Sequence, residues 1–326
     1  MIQALNIAKS VFNNSPIVMN SIRFSFAFLF AVLIVATTSH ETALAQATNS
    51  QPDVTESPLT IGSTFQFKSQ IMQGDRQINV WLPPSYAEGD TKYDVLYVID
   101  GGSEQDFHHI SGLAQLATIN ASFDELIVVG ITTIDRIAEL CSEQKDPRYI
   151  KLSPTLGNSD RFLKHISEEV IPFIEKKYRT GERRAVIGES LAGLFVAEVF
   201  LTSPGTFTDY VSISPSMWWD DQALAKSAEQ SLKAHDNQPR QIYFTIGDEG
   251  GTMRAGLDTV MKAIDKNKPE GLTMHFVDRQ DSAAHSTIYH PAAHDALLKL
   301  FGKPLPDYGE SPWYLIEGGQ PEDDDK

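Results

Sequence analysis

From Phe65 onward the chain alternates between two kinds of hydrophobic patterning. Phe65–Ile71 and Gln77–Leu82 alternate apolar and polar residues around Gly74-Asp75, as an antiparallel hairpin with one buried face does. Pro83-Pro84 ends this unit. Later come Val95–Ile99, Leu126–Ile131, Ala185–Ile187, Tyr210–Ser214, Ile242–Ile246 and Leu272–Val277, short runs that are apolar almost throughout. Strands of that kind are covered on both faces, as in a parallel sheet. Between them lie helical spacings. Arg161 to Tyr178 sets Phe162, Ile166, Val170, Phe173 and Ile174 on one stripe. Leu194–Leu201, Gln222–Ala234, Met253–Ile264 and Ala292–Phe301 are the others. A hairpin followed by repeated strand–helix units predicts an α/β fold with a mostly parallel, doubly wound sheet and right-handed crossovers.

The two ends break the pattern. Phe24–Ala36 is nearly all apolar, follows Arg23, and leads to Ala43-Leu44-Ala45. A basic residue, an apolar run too short for a membrane span and a small-x-small site describe a secretory signal cut before Gln46. Met19-Asn20-Ser21-Ile22-Arg23 makes a more typical opening for it than residues 1–18. Residues 46–60, polar with two prolines, read as a flexible leader. Residues 61–305 form the domain, and 306–326, rich in Gly, Pro and acids, read as a disordered acidic tail. Removal of 1–45 takes away Lys9, Arg23 and Glu41, so the net charge moves from −16 to −17. With no basic cluster to neutralise phosphates, nucleic-acid binding is excluded. A lone cysteine, Cys141, permits no internal disulfide, and no cysteine at the cleavage site can carry a lipid. The mature protein is expected to be periplasmic or secreted by a bacterium, without stable membrane insertion.

Chemistry concentrates where Ala185–Ile187 ends. Gly188-Glu189-Ser190-Leu191-Ala192-Gly193 then passes into Leu194-Phe195-Val196-Ala197. A buried strand, a turn of small residues around one serine and a helix make a nucleophile elbow, with Ala192 where the G-x-S-x-G pattern has its second glycine. In a parallel sheet, functional groups gather beyond the carboxyl ends of the strands. Asp248 and Glu249 follow Ile246 there, and His285 lies after the last strand. Asp248, right at the strand end, is the favoured acid, with Glu249 as the alternative. His290 and His294 fall at or inside the next helix, and Glu189 is expected to point away from the site. His285 would take the proton of Ser190 while the acid fixes its tautomer. The oxyanion would be met by the Leu191 N–H and by backbone in Asp100-Gly101-Gly102-Ser103, where Gly101 and Gly102 leave the main chain open. Cys141, with only Lys145 nearby and no elbow, is a poor rival nucleophile.

Val186–Phe195, Ile213-Ser214-Pro215-Ser216-Met217-Trp218-Trp219 and Ala284-His285-Ser286, with Trp81–Tyr86 and Val98–Gly101, resemble the esterase D-like branch of the α/β-hydrolases, which includes siderophore (enterochelin-type) esterases. The similarity runs over about residues 60–300. It implies an α/β-hydrolase fold, Ser190 as nucleophile, His285 as base, a carboxylate after Ile246, and no metal or organic cofactor. It also implies an aromatic wall from Trp218 and Trp219, with core packing as the competing role. Asp135-Arg136 match family positions, and Ile137–Lys151 reads as an insertion beside the pocket. A ferric siderophore is anionic, so a chain of this charge would need Arg136, Arg148 and Lys151 as a local basic patch. The expected activity is hydrolysis of a small-molecule carboxylic ester, siderophore-type or else acyl, aryl or sugar-linked. Acyl transfer and a non-catalytic binding module are the alternatives.

Overall fold

A computed structural model describes residues 54–153, 155–304, 309, 311, 313–316, 318 and 319. The expected signal segment and residues 46–53 of the leader lie outside them, as does most of the expected tail. Residues 54–60 are exposed and without regular structure.

Eight strands form one sheet in the order β1-β2-β4-β3-β5-β6-β7-β8. They are β1 (Ser63–Ser69), β2 (Gly74–Trp81), β3 (Tyr93–Ile99), β4 (Leu126–Ile131), β5 (Thr180–Glu189), β6 (Asp209–Ile213), β7 (Arg240–Ile246) and β8 (Leu272–Asp278). The pairs β1/β2 and β2/β4 are antiparallel, and every other pair is parallel. Each strand expected from the pattern is present, as is the mostly parallel α/β sheet with its leading hairpin. Alternation within β3 shows why its run is apolar throughout. Val95, Tyr97 and Ile99 enter one core, while Leu96 and Val98 enter the other.

The helices divide between those two cores. On one face pack α1 (Phe107–Asn120) and α9 (Tyr289–Phe301). On the other lie α2 (Arg136–Leu140), α3 (Pro147–Leu152), α4 (Ser159–His165), α5 (Ile171–Lys177), α6 (Leu191–Thr202), α7 (Trp219–Leu232) and α8 (Gly251–Asn267). The expected helix over 161–178 is found as α4 and α5 joined by a π turn at Ile166–Val170. Pro172 has no N–H for the carbonyl four residues back, and the wider turn absorbs the mismatch.

Two polar ties fix the frame. Arg76 and Glu139 form a buried ion pair at 2.7 Å between β2 and α2. At the β1–β2 turn Glu169 accepts hydrogen bonds from Ser69 Oγ and from the N–H groups of Gln70 and Ile71, and it contacts His165 Nδ1 at 2.6 Å. Burial alone would raise the Glu169 carboxyl, but these hydrogen bonds outweigh it and bring its pKa to about 2.

The stretch Ile137–Lys151 is structured. Trp219 Nε1 donates to Ser142 O at 3.0 Å, and Tyr149 Oη donates to Trp218 O at 2.7 Å. Asp220 Oδ1 accepts the N–H groups of Lys145 and Asp146 at 3.0 and 2.8 Å. Those bonds hold Asp220, Asp221 and Gln222 at φ values of 44°, 55° and 63°, a left-handed turn that L residues adopt only at a cost.

Candidate active site

The turn after β5 is built by close approach. A Cβ on Gly188 would lie 2.6 Å from the carbonyl carbon of Ala192, and one on Gly193 would lie 2.6 Å from Ile213 O. Both positions therefore exclude a side chain, and the tolerated alanine is the one whose methyl faces Gly188. Ser190 sits between them at φ 61° and ψ −116°, with its N–H donated to Ile213 O at 3.0 Å. This strained backbone turns the hydroxyl out above the sheet.

Loops after two more strands converge on that hydroxyl. His285 Nε2 lies 3.1 Å from Ser190 Oγ, and His285 Nδ1 is hydrogen-bonded to Glu249 Oε1. An ionised carboxylate can only accept, so the imidazole proton sits on Nδ1 and Nε2 is left to accept from the serine. Burial would raise the Glu249 carboxyl, yet hydrogen bonds from His285 and Ser214 hold it below the usual range. The bond to Glu249 in turn raises His285, against burial, and the charges of Glu189, Glu249 and Asp248 add to that. Asp248 is exposed, with its N–H donated to Ala283 O at 2.9 Å. The carboxylate brought to the imidazole is thus Glu249. Asp248, favoured from its place at the strand end, acts on the ring only from a distance.

The other expected residues are sorted by their partners. Leu191 opens α6, so its N–H is one of the helix-start amides without an intrahelical acceptor. Gly101 is a correction: its N–H is donated to Ile131 O at 2.8 Å, and a Cβ there would lie 2.3 Å from Gly130 Cα. It is glycine for contact between β3 and β4. The Gly102 N–H is bonded to Gln105 Oε1 at 2.9 Å, an acceptor that a rotamer change can remove. Arg136 is paired with the buried Asp100 at 2.8 Å, and Arg148 with Asp146 at 2.5 Å and Asp221 at 3.1 Å. These two arginines are therefore neutralised by neighbours. Trp219, expected on the substrate wall, is buried in the core, because its indole is needed to hold Ser142. Trp218 is half-buried and stacks on Tyr149 with ring centroids 6.0 Å apart. Cys141 is buried, and burial pushes its thiol up to about 12.

Beside His285 opens a cleft of about 530 Å³ lined by Asp106, His109, Glu189, Ser286, Tyr289 and His290, among others. Several of these were not foreseen. His109 and His290 stack with ring centroids 5.0 Å apart, and burial next to that second ring lowers His109 to about 4. Burial, with Asp100 nearby, raises Asp106 to about 6. Glu189 does not point away: its Oε1 lies 3.3 Å from His285 Nε2, and burial raises its carboxyl to about 7. Ser216, from the Ser214-Pro215-Ser216 segment, is buried with its Oγ 3.3 Å from Ser190 Oγ. Its signal was its place just after β6. Among the described residues no three His, Cys, Asp or Glu side chains form a set that could hold a metal.

A mostly parallel eight-stranded sheet, with serine, carboxylate and histidine in that chain order after β5, β7 and β8, defines the α/β-hydrolase fold. Within that class the chain belongs to the Putative esterase family, whose model matches residues 69–294. Over 98 residues it is 37% identical to the ferri-bacillibactin esterase BesA of Bacillus subtilis (strain 168), 29% of this chain and 34% of that protein. The chain thus matches about a third of that relative's length. Similar solved structures include an IroE-like serine hydrolase from Shewanella oneidensis, with a TM-score of 0.65 and 23% identity over 74% of this chain and 80% of that one. Another is the siderophore hydrolase EstA of Aspergillus nidulans, with a TM-score of 0.63 and 19% identity over 76% and 98% of the two chains. At these identities the structural likeness establishes the fold.

Proposed function

We propose that this chain is an exported serine hydrolase that cleaves a small-molecule carboxylic ester through an acyl-enzyme. The observation that carries the reading is the continuous line Ser190 Oγ, His285, Glu249. As Ser190 Oγ bonds to the ester carbonyl carbon, its proton passes to His285 Nε2, and Glu249 balances the charge on the ring. The Leu191 N–H, at the start of α6, meets the oxyanion, with the Gly102 N–H as second donor once Gln105 turns aside. Collapse of the tetrahedral intermediate breaks the carbon–oxygen bond, and the alcohol leaves with the proton from Nε2. Water then repeats the sequence on the acyl-serine. No metal or organic cofactor has a role in these steps.

Export is supported by the apolar run Phe24–Ala36 and the Ala43-Leu44-Ala45 site. Among the described residues, no helix is long and apolar enough to cross a membrane. Sequencing the N-terminus of the mature protein tests the cut before Gln46.

For the substrate, the names of the relatives point to siderophore esters. The cleft reaches His285 and Glu189 but is not lined by Ser190 itself; it has carboxylates and imidazoles on its wall, and no lysine or arginine is among the described residues lining it. An uncharged trilactone or other neutral ester suits such a wall better than a polyanionic ferric complex. A binding module would have no use for an imidazole held between a hydroxyl and a carboxylate. The experiment is an ester panel with p-nitrophenyl butyrate and a catecholate trilactone with and without iron, run on the wild type and Ser190→Ala. Ser190→Ala is expected to lose turnover and fluorophosphonate labelling while folding normally. Full activity in that variant removes Ser190 from the mechanism. Products formed with added alcohol separate acyl transfer from hydrolysis.

A further inference from the structure

We propose that Glu189 is a positioning residue that shares the Nε2 face of His285 with Ser190 and so sets the pH at which the serine is activated. The inference rests on the reading of Ser190 and His285 given above.

Two oxygens compete for one nitrogen. Glu189 Oε1 lies 3.3 Å from His285 Nε2, and Ser190 Oγ lies 3.1 Å from the same atom. With its proton on Nδ1, a neutral imidazole offers one lone pair at Nε2, and an ionised carboxylate has no proton to place there. The Glu189 contact is therefore favourable in two states only. Either Glu189 is ionised beside an imidazolium, or it is protonated and donates to Nε2. In both, a proton lies between the two residues and Nε2 cannot accept from the serine O–H. Loss of that proton frees Nε2 for Ser190, so activity should follow the ionisation of the Glu189–His285 pair as a unit.

Every element packed around the pair contributes charge. Asp106 precedes α1 and His109 lies on it, Arg136 stands on α2, Asp248 and Glu249 follow β7, and His290 lies on α9. The carboxylates favour keeping the shared proton. Arg136 opposes them, but it is itself paired with Asp100 at 2.8 Å. His109 is held neutral by burial. Glu189 is thus the carboxylate on the Nε2 side, as Glu249 is on the Nδ1 side. When Ser190 gives its proton to Nε2 during attack, the ionised Glu189 becomes a second counter-charge to the imidazolium. It should lower the rate in acid and raise it at the alkaline plateau.

The test is the pH dependence of kcat/KM for p-nitrophenyl butyrate between about pH 5 and 9, in the wild type, Glu189→Gln and Glu189→Asp. In Glu189→Gln the midpoint of the acid limb should fall by about one pH unit and the plateau rate several-fold. Glu189→Asp should lie between the two. The second arm needs no turnover: the His285 ring is titrated by nitrogen-15 NMR in Ser190→Ala, with and without Glu189→Gln. Its midpoint should again fall by about one unit. An unmoved NMR midpoint overturns the proposal, as does an unmoved acid limb in an active Glu189→Gln enzyme. Full activity in Ser190→Ala alone overturns the nucleophile assignment instead, while the NMR arm still reads the Glu189–His285 coupling.

Discussion

Replacing Glu249 by glutamine keeps the shape of the side chain and removes the charge that His285 needs when it becomes an imidazolium. The Glu249 side chain is only 10% exposed but the imidazole is 41% exposed, so solvent screens the contact in part. A carboxylate in direct contact raises the proton affinity of its partner by about 1–3 pKa units, equivalent to about 1.4–4 kcal/mol, and the lower end of that range applies to this half-screened pair. The amide adds a second fault, since its NH2 group can face Nδ1 and force the ring proton onto Nε2, where the serine needs an acceptor. Together these should lower kcat by about 10³- to 10⁴-fold. Asp248→Asn is the matched control. Its carboxylate is exposed and acts through solvent, so the loss should stay below about threefold. Both variants would be assayed on p-nitrophenyl butyrate at saturating substrate, with circular dichroism melts to verify folding. Equal losses, or a larger loss in Asp248→Asn, would refute the assignment of Glu249 as the acid.

Other perturbations probe the frame. In Gly188→Ala the new methyl would meet the Ala192 backbone at 2.6 Å; the elbow must shift, with a stability loss of about 1–3 kcal/mol in urea melts and loss of fluorophosphonate labelling. Glu139→Ala leaves Arg76 as an unpaired buried charge, and chemical denaturation should show a cost of about 3–5 kcal/mol. The native pKa of Glu169, about 2, is below that of an unfolded glutamate, so its ionised form stabilises the fold above about pH 4.3. That contribution is lost as pH falls from there to about 2, and Glu169→Gln should flatten this part of the melting-temperature profile. A Glu169→Gln variant with an unchanged acid slope would contradict the account of the β1–β2 tie.

Patterning revealed the sheet because a strand covered on both faces is apolar at nearly every position, and β3 to β7 are such strands. It missed α1, although its buried Ile110, Leu113, Ala114 and Ala117 keep the i, i+3, i+4, i+7 spacing, because two of the four are alanines and the stripe is only weakly apolar. Ser190 and His285 were legible because an elbow and a loop after the last strand are features of chain order. Which carboxylate meets the imidazole was not, since adjacent residues after β7 share that order. The Asp248 N–H bond to Ala283 O and the Glu249 contact with His285 are long-range pairings. The same holds at Gly101, which read as open backbone but is required by the approach of Gly130, and at Trp219, whose partner Ser142 lies 77 residues away. Glu189 was misread because its direction depends on the burial and twist of the turn beyond β5.

The left-handed turn at Asp220–Gln222 bears on how this protein could be re-engineered. Its buried carboxylate accepts two amides from the excursion after α2, so neither segment keeps its shape without the other. A designer who grafts a relative's version of one alone would strand Asp220 without its acceptor role or leave the amides of Lys145 and Asp146 unanswered. The two segments form one module for transplantation, and natural exchange between family members would have to carry both.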